Sequence, residues 1–176
     1  MCCLFGILDY GGKLSRKEKT KILSVLSVAC EERGTDATGI AYNSGRSLKV
    51  YKRPLPAHLL WFRIFEDTNV VMGHTRMTTQ GSERFNANNH PFAGQAGDTT
   101  FALAHNGVLN NDKRLRRPYS VTEVPRMGMS AVAAAAACRA GVAFAMIRST
   151  LEATRSVTMG VQVAASPAPT PPVNST

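Results

Sequence analysis

The sequence predicts an α+β domain in which sheets pack together and carry helices outside. Three observations point there. Short apolar runs at 3–9, 69–75 and 100–105 have the length of buried strands. One stretch after Gly12 has the apolar spacing and the end signals of a helix. Two alternating runs flank Asn43-Ser44-Gly45, which reads as a hairpin. With 176 residues, 44% of them hydrophobic, one globular domain or one domain plus an appendage is expected.

The elements follow in order. "CLFGILD" (3–9) is a buried strand, and Gly11-Gly12 behind it a turn. Ser15 and Glu18 form a capping box, in which hydroxyl and carboxylate each satisfy an orphan backbone N–H. Ile22, Val25, Leu26 and Ala29 share one helical face, the expected core side, and Gly34 ends the helix. Cys30, late on this helix, is expected to be a packing residue, and the Lys-rich "SRKEKTK" a solvated face. "PAHLLWFRIF" reads as a short helix from Pro56 with Trp61 and Phe62 buried. "NVVMGHTR" is a second buried strand, and "MTTQGSERFNANNHPFAGQAGD" a long polar loop of the kind that is usually functional or disordered. "TTFALAHNGVLNND" returns to strand. The apolar strands at 69–75 and 100–105 each end in a polar cluster, "GHTR" and "HNG", and chain leaving a buried strand with such residues often lines a site.

After Arg117 the composition shifts. "AVAAAAACRAGVAFAMI" has helix propensity but little packing volume, and "AASPAPTPPVNST" is expected to be disordered or extended. The chain therefore divides into a domain over 1–117, an Ala/Arg-rich region over 118–163 and a Pro/Ser/Thr-rich tail over 164–176. The net charge of +9 is uneven: residues 1–112 carry 13 basic and 10 acidic side chains, residues 113–176 carry 8 and 2. No nucleic-acid motif accompanies that basic excess, so nucleic acid is not the expected partner. No run of about 18 apolar residues is present, which argues against a membrane-spanning helix. The N-terminus lacks the layout of a secretion signal, and the cytosol is the expected compartment. Cys2, Cys3, Cys30 and Cys138 do not suggest a disulfide framework. His74, His90 and His105, taken with Cys2 and Cys3, match no metal-ligand spacing, so no metal is expected.

Cys2 admits two readings: a small buried hydrophobe at the start of a strand, or a nucleophile. If Met1 is removed, Cys2 carries both a thiol and a free α-amine, with reference pKa values near 8.5 and about 7.7–8.0. One residue then supplies nucleophile and base together. Thiolate attack on a carboxamide makes an oxyanion, which needs donors aimed at it. Asn106 and Gly107 of "HNG" offer a side-chain amide and an unobstructed backbone N–H. An amino-acid substrate also has an α-carboxylate, which an arginine such as Arg76 in "GHTR" can grip with two parallel bonds.

"MCCLFG", "RGTDATGIA", "GHTRMTTQG", "NNHPF" and "LAHNGVLNN" closely resemble, in order, the successive motifs of the class II glutamine amidotransferases. These are N-terminal-nucleophile (Ntn) hydrolases that release ammonia from glutamine. The resemblance runs from residue 1 to about residue 117. It implies a four-layer α/β/β/α sandwich, here incomplete at the C-terminus. It also implies Cys2 as nucleophile, Asn106 and Gly107 as oxyanion hole, Arg76 on the glutamine α-carboxylate, and Thr79 beside the substrate. Arg33 buttresses the catalytic cysteine and Asp36 holds its loop, while His74 and His105 support the strand ends. No cofactor is implied. The partners are glutamine and, since no acceptor domain is recognisable, a separate ammonia-accepting synthase subunit.

This chain departs from the family at Cys3, Met77 and Gln80, where Gly, Trp and His are usual. Cys3 is expected to point away from the nucleophile's side, because neighbours on a strand face opposite ways. The larger departure follows Arg117: the family's aspartate for the glutamine α-ammonium has no counterpart, since no Asp occurs in 113–176. The alternative reading is therefore a truncated or frame-shifted, non-catalytic remnant that keeps a glutamine-like pocket.

Overall fold

The computed structural model describes residues 2–79, 81–96 and 99–106, together with the backbone of 144–150 and 158–162. Its strands are β1 (Cys3–Leu8), β2 (Ala37–Ser44), β3 (Ser47–Arg53), β4 (Val70–Arg76), β5 (Phe92–Ala96), β6 (Thr99–His105), β7 (Phe144–Thr150) and β8 (Thr158–Gln162). The helix α1 spans Arg16–Ala29. The strands form two four-stranded antiparallel sheets, ordered β1-β4-β2-β3 and β5-β6-β7-β8. Every residue of β4 is buried, which fits a central strand covered on both faces.

Side-chain alternation assigns the two faces of the first sheet. Ile7, Ile40, Tyr42 and Val71 pack with Leu23 of α1 and with Leu60, Phe62 and Ile64. Ala41, Val70 and Met72 face the other way and meet Ala102 and Ala104 of β6. The small β6 side chains let the two sheets approach closely. The result is the stacked antiparallel pair expected, with helix on the outside; the only α-helix among the described residues lies on the first sheet.

The Ser15–Glu18 capping box is present in full. The buried face of α1, however, is Lys19, Leu23 and Ser27, not Ile22, Val25, Leu26 and Ala29. Lys19 decides the rotation. Its ammonium reaches Asp9 Oδ2 at 3.2 Å and the carbonyl of Thr68 at 2.6 Å, so the helix turns its polar anchor inward. Val25 is left 61% exposed. Leu23→Ala is accordingly expected to cost about 2–5 kcal/mol in denaturant unfolding. Val25→Ala should stay within about 0.5 kcal/mol; equal losses at the two positions would contradict this orientation.

Four further expectations are corrected. The hairpin turns at Gly45-Arg46, with Ser44 paired to Ser47, because Asn43 is buried and accepts the N–H groups of Asn69 and Val70. Residues 57–59 make only a 3-10 turn, and Trp61 is 88% exposed while Phe62 is buried. The long polar loop ends early in β5, which pairs with β6. Strand β7 overlaps the Ala-rich stretch read as helix-prone, and with β8 it extends the second sheet. The expectation for 164–176 lies outside the described residues.

Candidate active site

Two chain segments meet at the start of β1, and a third reaches the neighbouring strand β4. Cys3 pairs with Thr75 of β4, so Cys2 lies beside the end of that strand. The Cys2 thiol lies 3.6 Å from the carbonyl of Met77, just past β4. The second segment is the turn after α1. Arg33 Nε donates to the Cys2 carbonyl at 3.3 Å. Asp36 locks this turn to the chain leaving β4: its N–H donates to the Arg76 carbonyl at 3.0 Å, and its carboxylate accepts the Thr78 N–H at 2.6 Å. Gly34 makes that contact sterically allowed, since a Cβ there would fall 2.4–2.6 Å from Arg76 and Met77 backbone atoms.

The third segment comes from the second sheet. His74 Nε2 lies 3.2 Å from the His105 carbonyl, tying β4 to the exit of β6 one residue before Asn106. Asn106 is half-buried; Gly107 and Gln80 lie outside the described residues. Thr79 is exposed two residues after Met77. Arg76 is only 5% exposed and donates to Asn89 Oδ1 at 2.7 Å and to the Gly81 carbonyl at 3.1 Å. Among the described residues, no group of three or more His, Cys, Asp or Glu side chains is placed to hold a metal ion.

The neighbouring thiols point elsewhere. Cys3 and Cys30 both lie against the Leu4 carbonyl, at 3.7 and 4.0 Å, and Cys30 is half-buried as a packing residue. Burial and then the Cys3 thiol push Cys30 up to about 12, so it stays protonated at neutral pH.

Behind the site lies a buried histidine cluster. The rings of His74 and His90 are 4.4 Å apart, and His90 also meets Phe92 edge-on at 4.4 Å. Burial pushes His74 down to about 3, and it lowers His90 and His105 as well. All three are therefore neutral at pH 7. In the unfolded chain a histidine titrates near 6.5, so below that pH the unfolded state binds more protons than the folded one. Stability is thus full above about 6.5 and falls on acidification, for His74 at about 1.4 kcal/mol per pH unit down towards its folded value. Urea midpoints measured from pH 7.5 to pH 5 should drop steadily below 6.5. A flat profile over that window would contradict the buried neutral cluster.

Asn89 is the site residue that sequence reasoning passed over. It is fully buried and bonds Arg76 directly, yet in the sequence it is one of several Asn in a polar loop. The available signal was its place beside His90-Pro91 within "NNHPF".

No family model matches the chain. Among curated proteins it is 36% identical over 119 residues to glutamine–fructose-6-phosphate aminotransferase (isomerizing) of Bacillus licheniformis, covering 65% of this chain and 18% of that protein. It is 29% identical over 122 residues to amidophosphoribosyltransferase of Drosophila melanogaster, covering 66% and 22%. The chain thus spans about a fifth of the length of these relatives. Its fold is similar to a solved structure described as the allosteric regulatory enzyme of purine biosynthesis, with a TM-score of 0.56 and 18% identity, over 85% of this chain and 35% of that one. Stacked antiparallel sheets, the motif order and these relatives together identify the chain as carrying a class II glutamine amidotransferase domain of the N-terminal-nucleophile type.

Proposed function

We propose that the chain hydrolyses the side-chain amide of glutamine to glutamate and ammonia through Cys2, and that the ammonia passes to a separate acceptor enzyme in the cytosol. The observation that carries this reading is the convergence on Cys2 of the Arg33 turn and the Met77 carbonyl, beside the buried Arg76. With Met1 removed, the α-amine of Cys2 takes the thiol proton and the sulfur attacks the amide carbon. Asn106 and Gly107 stabilise the oxyanion. The amine proton then goes to the leaving nitrogen, ammonia departs, and a γ-glutamyl thioester remains. Water, activated by the same amine, adds to the thioester and expels the thiolate with glutamate. Arg76 holds the α-carboxylate, and Thr79 borders the substrate.

The test is ammonia and glutamate release in equal amounts from L-glutamine by the purified full chain. A folded chain that releases neither would overturn the reading in favour of the non-catalytic remnant, which the lack of any Asp over 113–176 favours.

A further inference from the structure

We infer that Asn89 is a positioning residue that holds the Arg76 guanidinium ready for a substrate carboxylate. The inference rests on the assignment of Arg76 as the carboxylate clamp. Asn89 is fully buried, and its hydrogen bonds define which way its amide points. Arginine can only donate, so the oxygen of the Asn89 side chain faces Arg76 Nη1 at 2.7 Å. A backbone carbonyl can only accept, so its Nδ2 faces the Glu83 carbonyl at 2.7 Å. Reversing the amide would break both bonds.

The backbone of Asn89 is held as firmly. Its N–H donates to the Asn86 carbonyl at 3.1 Å, and its own carbonyl accepts from Lys52 Nζ at 2.6 Å. The same ammonium reaches the Pro91 carbonyl at 3.0 Å and sits 4.9 Å from the centre of the Phe92 ring. Gly39 leaves the room for this segment, because a Cβ there would come within 2.3 Å of the His90 carbonyl. Lys52 of β3 therefore pins residues 89–91 against the first sheet, and Asn89 in turn pins Arg76. The Gly81 carbonyl holds the other terminal nitrogen at 3.1 Å.

The chemistry of the acceptor matters. A neutral amide fixes the plane of the guanidinium without itself neutralising its charge, as a carboxylate would. A pre-oriented arginine loses less side-chain freedom on gripping a ligand, which is where such a residue adds affinity. Asn89 touches no reacting atom; it acts through Arg76.

Two thiol reagents separate this role from a merely structural one. 6-Diazo-5-oxo-L-norleucine carries an α-amino acid group and needs the clamp; iodoacetamide carries no carboxylate and does not. In the full chain, Asn89→Ala should slow Cys2 labelling by the first reagent about 10- to 100-fold, the range typical of residues that orient a ligand group. Labelling by iodoacetamide should stay at the wild-type rate. Asn89→Asp, nearly the same shape, should lose the same selectivity because its charge pairs with Arg76. This second variant keeps the test decisive if the alanine variant melts at assay temperature. Arg76→Met supplies the reference loss. If Arg76→Met loses selectivity and the Asn89 variants do not, the positioning role is overturned while the clamp stands. If none of them loses it, the clamp assignment falls and the positioning role with it. Equal slowing by both reagents would mean a structural role only, and a wild-type chain that neither reagent labels at Cys2 would overturn both.

Discussion

Cys2→Ala is expected to lower glutamine hydrolysis by a factor on the order of 10⁴ or more, since the proposed nucleophile has no substitute within a catalytic unit that acts as one. The thermal midpoint should change little. Cys2 precedes β1, is only half-buried, and its thiol makes one long contact to the Met77 carbonyl. Adding an alanine between Met1 and Cys2 should have nearly the same effect on activity while leaving the thiol in place. That variant keeps the sulfur and removes the free amine, so it isolates the amine's part as base. Steady-state ammonia release and a melting curve measure both quantities. Activity in the extended variant close to wild type would mean that another group takes the thiol proton.

The second large effect is expected at Gly34, which has no chemistry of its own. Its backbone is extended, with φ 169°, so glycine is not needed there for its conformation. It is needed for space. A Cβ would sit 2.4 Å from the Arg76 carbonyl carbon, 2.5 Å from the Met77 nitrogen and 2.6 Å from the Arg76 oxygen, all backbone atoms that cannot swing aside. Gly34→Ala must therefore push the chain leaving β4 away from the turn after α1. Overpacking of this kind costs about 1–3 kcal/mol. It also displaces Arg76 and the Met77 carbonyl, and a shift near 1 Å at such a position can cost about 10²-fold in rate. Gly12 provides the contrast: a Cβ there would meet no atom within 4 Å, so alanine faces only the strain of φ 64°. A Gly34→Ala chain with wild-type melting and kcat/KM would show that the two segments do not touch in solution.

Local signals were legible in the sequence wherever a short stretch carries its own physics. Ser15 and Glu18 cap a helix by themselves, and the apolar run before "GHTR" makes a buried strand in any setting. Most of the failures depended on partners distant in sequence. The face of α1 could not be read from its apolar residues, because the burial of Lys19 is offset by Asp9 and by carbonyls of the β3–β4 connection. Trp61 was expected inside on hydrophobicity alone, but the places beneath α1 are filled by Leu60, Phe62 and Ile64. Strand β5 is the exception, since its partner β6 follows directly, from Ala96 paired with Thr99; its Gly and Gln residues hid it in the polar loop.

The site divides in the same way. Cys2, Arg33, Asp36 and Arg76 were legible as motif residues, and the structure joins them through backbone carbonyls and N–H groups that no motif displays. Asn89 was not legible, since its importance lies in its burial and its bond to Arg76.

The most direct measurement of Cys2 as a processed, glutamine-directed nucleophile is intact-mass spectrometry of the purified full chain before and after treatment with 6-diazo-5-oxo-L-norleucine. The expected result is a chain lacking Met1, then a single adduct that peptide mapping places on Cys2 and that excess L-glutamine prevents. Retention of Met1, or a processed chain that takes up no adduct, would contradict that role.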